Sequence, residues 1–144
     1  MQVVDFETAK ILRKTFPDYR WDSDDCTYLY GNDDEKRLIS WSSSEADYYL
    51  NDNSRFYPAP FIQAVIEKLE KDDRWSIYIT PHFDDFANAQ IGTFYSIYET
   101  GIDGGKDYVT VCLVGNRFDS ANRAIREVCQ LVEEYRAGIT ESKE

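Results

Sequence analysis

The segment YPAPFIQAVIEKLEKDDRWSIYIT, residues 57–80, contains the clearest change of pattern in the chain. Proline restricts the preceding residue to extended backbone, and Pro60 also suits the first turn of a helix, where no N–H is required. Apolar residues then recur at helical spacing up to residue 69, and β-branched and aromatic residues predict a strand over 74–80. We interpret the prolines as a rigid helix start, because a proline-rich ligand needs P-x-x-P spacing in open chain.

The N-terminal part predicts a helix and a hairpin. DFETAKILRKTF favours a helix over residues 5–16, which Asp5 can cap and Pro17 ends. TYLYG and RLISWS flank the polar loop NDDEK, a pattern typical of a β-hairpin. Residues 42–57 show capping-box spacing at their start but little periodicity, so we expect mostly loop there.

The C-terminal half predicts two more strands and a long helix. GTFYSIYE (92–99) and DYVTVCLV (107–114) favour strands, and TGIDGGKD between them favours a hairpin turn. Apolar residues on both faces of 107–114 predict a central position in the sheet. An apolar seam predicts a helix over 118–136, started by Asn116 or Asp119 and ended by Gly138.

These elements follow the order αββαβββα. The order predicts an α+β fold, in which two to three helices pack on one antiparallel sheet. A length of 144 residues suits a single domain over 1–144, with a loose tail from about residue 138. A chain of this length can bury a core without disulfides or metal ions.

The charge of the chain restricts its partners. The formal net charge is −11 and the isoelectric point is about 4.5, a field that repels nucleic-acid phosphates and anionic membranes. No basic patch offsets this field, so we expect neither direct nucleic-acid binding nor membrane binding. The acidity either serves solubility or attracts a protein partner with a basic surface, and a homo-oligomer is left open.

Three cysteines, Cys26, Cys112 and Cys129, form an odd number without C-x-x-C spacing. Cys112 lies in a strand-like run and Cys129 in a helix-like run, so we interpret both as small buried apolar residues. The N-terminal segment MQVVDFETAK lacks the basic and then apolar pattern of a signal peptide. Both observations favour a reduced, cytoplasmic location.

The layout of residues 27–136 resembles that of a recurrent group of small proteins. The resemblance rests on YPAP leading into a helix with AVIEKL, then RWSIYI, two further strands and the closing AIREVCQLVEEY helix. In these features the chain resembles small uncharacterised α+β proteins of gut Bacteroidetes and of phages or prophages. The resemblance implies an accessory cytoplasmic protein, with a mobile genetic element as one source, and it transfers no functional residue.

The only histidine, His82, lies in the segment TPHFDD with Asp84 and Asp85. Imidazole and carboxylate groups suit several divalent metal ions, so these three residues could form one corner of a metal site. A catalytic zinc site uses three protein ligands, usually with more than one histidine, and only distant carboxylates could complete this one. The alternative function is therefore a small metal-dependent hydrolase, and the simpler interpretation of His82 is an exposed loop after a strand.

Aromatic residues interleaved with acids cluster in the first half of the chain. Tyr and Trp are enriched in the hot spots of protein interfaces, although these side chains could also cover a small sheet. We therefore predict a non-enzymatic protein-binding module without catalytic residues or cofactors. One form is a phage or prophage antagonist that presents acids to a basic host surface. The residues predicted to bind the partner are Tyr28, Tyr30, Trp41, Tyr48, Tyr49, Phe56 and Tyr57.

Overall fold

The structure, a computed structural model, describes residues 2–22, 24–38, 55–84, 89–99, 106–112 and 117–138. Within these residues, three helices and two antiparallel sheets of three strands each form an α+β fold, which confirms the predicted class. The strands are divided between two sheets, whereas the sequence predicted one. None of the helices described has the length and apolarity to cross a membrane.

The chain divides into two compact units. One consists of Met1–Ala64 and Cys129–Glu144, and the other consists of Val65–Val128. The prediction of a single domain over the whole chain stays a prediction, and each unit is described by itself below.

Helix α1 of the first unit, Phe6–Thr15, confirms the first predicted helix. The side chain of Asp5 accepts a hydrogen bond from the Thr8 backbone N–H at 2.8 Å, which satisfies one of the unpaired donors at the helix start. The helix buries the face that carries Ala9 and Leu12. It ends at the residue before Phe16, because Pro17 cannot continue it.

The sheet of the first unit contains the predicted hairpin and one strand that was not predicted. Strands β1 (Tyr28–Tyr30) and β2 (Lys36–Leu38) pair antiparallel around the polar loop. Strand β3 (Tyr57–Pro58) pairs with the other edge of β1, so that Leu29 lies opposite Pro58. The order is β2-β1-β3, and an edge position suits Pro58, which has no N–H to donate.

The segment after β3 is held by backbone hydrogen bonds from both sides. Ala59 N–H donates to the Tyr28 carbonyl at 2.9 Å, and the Pro60 carbonyl accepts from Val4 N–H at 3.1 Å. Phe61 N–H then donates to the Asp25 carbonyl at 2.9 Å. The expectation that Pro60 sits in the first helical turn is therefore wrong: the residue is fully buried in extended chain, and the helix begins at Ile62.

Helix α2, Ile62–Asp73, matches the predicted amphipathic helix. Val65 and Leu69 are fully buried, and Lys68 forms an ion pair with Asp72 at 3.2 Å on the solvent-facing side of the helix. The next residue, Arg74, has a positive φ of 64°, a left-handed conformation that ends the helix. The following strand begins one residue later than predicted.

The sheet of the second unit has the order β4-β5-β6. Strands β4 (Trp75–Asp84), β5 (Ala89–Glu99) and β6 (Lys106–Cys112) pair antiparallel, with a register shift between His82 and Phe83. The prediction that the strand over 107–114 is central is wrong, because within the described residues β5 is the middle strand and β6 is at the edge. Apolar residues on both faces of a strand do not show how many neighbouring strands it has.

Helix α3, Arg117–Arg136, confirms the long closing helix and its seam. Ala121, Ile125 and Val128 are buried, and Gly138 ends the helix with a φ of 75°. Within the first unit, the end of this helix contacts α1. The Arg136 guanidinium donates to the Thr15 carbonyl and lies over the Phe16 ring, 5.7 Å from its centroid.

Two cysteine thiols in the first unit are buried and free. Burial raises the pKa of both Cys26 and Cys129 to about 12, because a thiolate is poorly solvated inside the protein. The Cys26 thiol donates to the Tyr28 carbonyl at 3.3 Å. The prediction that Cys129 is a buried apolar residue is confirmed, and the Cys112 side chain lies outside the described part of the structure.

Candidate functional site

Four of the seven residues predicted to bind a partner lie within the described part of the chain. Tyr28, Phe56 and Tyr57 are half-buried, as a contact residue should be. Tyr30 is 4% exposed and therefore cannot serve as a surface contact, which corrects the prediction for this residue. The remaining three lie outside the described residues, namely Trp41, Tyr48 and Tyr49.

Phe56 and Tyr57 form one wall of an open cleft in the first unit, which we call the hairpin cleft. The opposite wall is the loop and second strand of the β1–β2 hairpin. The cleft has a volume of about 420 Å³, within the range of sites that hold small ligands or a few residues of peptide. Its lining consists of Gly31, Asn32, Asp33, Arg37, Arg55, Phe56 and Tyr57.

Contacts with α1 hold the aromatic wall in place. The Arg13 guanidinium donates to the Phe56 carbonyl and lies over the Tyr57 ring, 5.7 Å from its centroid. The Phe6 ring meets the Tyr57 ring edge to face, with centroids 6.1 Å apart. Because β3 is only two residues long, these contacts fix a wall that the sheet alone would hold weakly.

Tyr30 supports this arrangement from inside the unit. Its hydroxyl donates to the Val4 carbonyl at 2.8 Å, and its ring lies 5.5 Å from the Phe6 ring. Burial raises the pKa of the Tyr30 hydroxyl to about 12, and the nearby carboxylates of Asp5 and Asp34 add to the shift. The Tyr30 ring therefore supports Phe6, which in turn contacts the aromatic wall of the hairpin cleft.

Arg37 on β2 lies directly over Gly31 at the hairpin loop. A methyl group built on Gly31 would come within 2.3 Å of an Arg37 guanidinium nitrogen, so the guanidinium rests where a side chain would otherwise be. Within the described residues, Arg37 forms one ion pair, with Asp33 at 4.0 Å, and both side chains are more than half exposed. Such an exposed pair contributes little to stability.

The rim of the hairpin cleft is an acidic turn. Residues 32–37 are exposed, and Asp33 accepts a hydrogen bond from the Glu35 backbone N–H at 3.1 Å. A second acidic turn is closed by Asp22, which accepts from the backbone N–H groups of Asp24 and Asp25. Both are turns organised by their own side chains.

A second, smaller cleft in the same unit is part of the core packing. It offers about 30 Å³, enough for roughly two water molecules. Most of its walls, including Leu12, Phe16 and Trp21, are buried side chains of the core. The Tyr19 ring stacks on the Phe16 ring at 4.5 Å and partly covers it. The space is too small for a substrate.

The structure describes the residues of the predicted metal site only in part. His82 lies opposite Gly92 and Asp84 opposite Ala89, both inside strand β4, so the simpler interpretation of a loop is wrong for these positions. Their side chains, and the whole of Asp85, lie outside what the structure describes. No group of three potential metal ligands occurs among the residues that it does describe. The hydrolase alternative stays a prediction without added support.

Sequence reasoning missed the polar half of the hairpin cleft. Arg37 and Arg55 lie 18 positions apart in the sequence, and acidic residues occur close to both. Only the pairing of β3 with β1 places them around one cleft. The predicted hairpin could have identified Gly31 as part of a site, because glycine at the end of a strand often marks a close approach of another group.

Comparison with known proteins gave no matching family model, no similar curated protein and no similar solved structure.

Proposed function

We propose that this protein is a non-enzymatic protein-binding module and that the hairpin cleft is its contact site. The observation that carries the proposal is the lining of the cleft, in which Phe56 and Tyr57 lie beside Arg37 and Arg55. Aromatic residues and arginine are the types most enriched where proteins bind one another. The side chains are partly open to solvent and so can be covered by a partner.

The way the aromatic wall is supported favours binding with little rearrangement. Tyr57 is fixed by Phe6 and by the Arg13 guanidinium, and the hydrogen bond to the Phe56 carbonyl holds the backbone. A wall that is already ordered loses less conformational entropy when a partner covers it. This distinguishes the wall from a loop that would have to fold on binding.

The overall charge favours a partner with a basic surface. A net charge of −11 attracts such a partner over several ångströms and increases the rate of association. The exposed acidic turn at the rim of the cleft, residues 32–35, is where that attraction is strongest near the site. A cytoplasmic location and a phage or prophage source remain part of the proposal, and the buried, free thiols accord with a reducing compartment.

The test is affinity capture from a bacterial lysate with wild-type protein and two matched variants. Phe56→Ala removes a ring from the hairpin cleft but keeps the backbone carbonyl that Arg13 binds. Tyr78→Ala removes an aromatic side chain that is 60% exposed on β4, in the other unit. We expect a protein that wild type and Tyr78→Ala capture and Phe56→Ala does not. Equal capture by wild type and both variants, or loss with Tyr78→Ala alone, would contradict the proposal.

A further inference from the structure

We infer that the hairpin cleft binds a peptide segment of the partner in which an acidic side chain lies next to an aromatic residue, with the carboxylate on Arg37. The inference rests on the proposed function and specifies the chemistry of its site. The partner as a whole is basic, whereas the segment that enters the cleft is acidic.

Guanidinium groups line the cleft, although the chain as a whole is acidic. The lining contains Arg37 and Arg55, together with the acid Asp33, in a protein with a net charge of −11. A guanidinium presents two parallel N–H groups that match the two oxygens of a carboxylate. The Arg37 guanidinium therefore favours a carboxylate among the side chains that a partner could insert.

Arg37 is suited to this contact because its ion pair with Asp33 is weak and its guanidinium lies close to the hairpin loop. The Asp33 carboxylate lies 4.0 Å away and is exposed to water, so an incoming carboxylate at hydrogen-bond distance replaces it at little cost. Gly31 beneath the guanidinium leaves no side chain between Arg37 and the loop backbone. The guanidinium therefore lies close to the hairpin at one end of the cleft.

The aromatic wall explains why the ligand is a peptide and not a free anion. Phe56 and Tyr57 lie at the same cleft as the arginines, and both side chains are only partly covered before anything binds. Covering the rest requires apolar area next to the carboxylate, which an aromatic neighbour in a peptide supplies. A volume of about 420 Å³ has room for a few residues of such a segment.

The inference is tested by titrating ¹⁵N-labelled protein with the peptide acetyl-Gly-Tyr-Glu-Phe-Gly-amide and following amide shifts. We expect shifts at residues 31–37 and 55–57, and at least tenfold weaker binding of the same peptide with Gln in place of Glu. Arg37→Gln should weaken binding of the acidic peptide by about 10- to 100-fold. Arg37→Lys should weaken binding less, because lysine keeps the positive charge but lacks the two parallel N–H groups of the guanidinium.

Two further variants separate positioning from charge. Gly31→Ala should weaken binding without removing any charged group, because the new methyl group displaces the Arg37 guanidinium. Lys14→Gln makes the same change in net charge as Arg37→Gln at an exposed position on α1 outside the cleft, and should leave binding unchanged. A loss with Lys14→Gln equal to that with Arg37→Gln would show a general charge effect and overturn the inference.

Other results would also overturn it. Equal binding of the Glu and Gln peptides would show that the carboxylate has no role. Equal binding of a peptide with Ala in place of both aromatic residues would show that the cleft is a simple anion site. A peptide with a free C-terminus and no acidic side chain should bind weakly, and tight binding would point to carboxyl-terminal recognition instead. If the peptides fail while Phe56→Ala still abolishes capture, the proposed function stands and only this inference is lost.

Discussion

The hydrogen bond between the Tyr30 hydroxyl and the Val4 carbonyl gives the sharpest test of how the first unit is built. Both residues are buried, and the distance between donor and acceptor is 2.8 Å. Tyr30→Phe removes only the hydroxyl and keeps the ring that lies 5.5 Å from Phe6. The Val4 carbonyl then loses this donor in a place from which water is excluded.

The expected cost follows from that loss. A buried polar group left without its partner costs about 1–3 kcal/mol, which corresponds to a decrease in Tm of roughly 3–10 °C for a chain of this size. The matched control is Tyr28→Phe on the same strand, because the Tyr28 side chain is half-buried and its hydroxyl makes no hydrogen bond within the described residues. This control should change the free energy of unfolding by less than about 0.5 kcal/mol.

The difference between wild type and Tyr30→Phe should also depend on pH. Because the folded-state pKa of Tyr30 is raised from 10.0 to about 12, the folded protein keeps the hydroxyl proton at pH values where the unfolded chain has lost it. Stability from this group is complete below pH 10 and is lost as the pH rises towards 12. The wild-type advantage should therefore shrink by about 1 kcal/mol between pH 9 and pH 11.

Urea unfolding followed by far-UV circular dichroism at pH 7, 9 and 11 measures all of these quantities. The two proteins differ only in the Tyr30 hydroxyl, so contributions from other groups cancel in the comparison. Equal stability of wild type and Tyr30→Phe at pH 7 would refute the role of the hydrogen bond. A difference that stayed constant from pH 9 to pH 11 would refute the raised pKa.

The remaining predictions concern α3 and the buried thiols. Ile125→Ala should destabilise the protein by about 2–4 kcal/mol in urea unfolding, because the side chain is fully buried, whereas Gln130→Ala on the exposed face should cost less than about 0.5 kcal/mol. Gly138→Ala should cost about 1 kcal/mol through its left-handed backbone alone, since no neighbouring atom lies within 4 Å of the new methyl group, and an unchanged Tm would contradict this. Cys26 and Cys129 should react with a thiol reagent at pH 8 at least 100-fold more slowly in the native protein than in urea, as mapped by mass spectrometry, and fast labelling of either residue would show that its burial is wrong.

The partition of the chain into helices and strands was largely determined by the sequence. Periodicity located the three helices of the described residues to within about two residues, and Asp5 and Gly138 occupy the ends assigned to them. The hairpin and the three later strands were also predicted, although β4 continues through His82 to Asp84. These features depend on the spacing of apolar residues and on caps, which are properties of residues close together in the sequence.

Only the tertiary structure decided how distant segments meet. YPAP was predicted as a helix start, but β1 on one side and residues 2–4 on the other hold it as extended chain, because their backbone groups supply its hydrogen bonds. The same pairing brings Phe56 and Tyr57 opposite Arg37, so the candidate site depends on contacts across about 20 residues of sequence. The sequence analysis placed Tyr30 among the surface aromatic residues, whereas its hydroxyl donates a hydrogen bond to a buried carbonyl 26 positions away. Strand order and burial depend on such long-range partners, which local spacing does not encode.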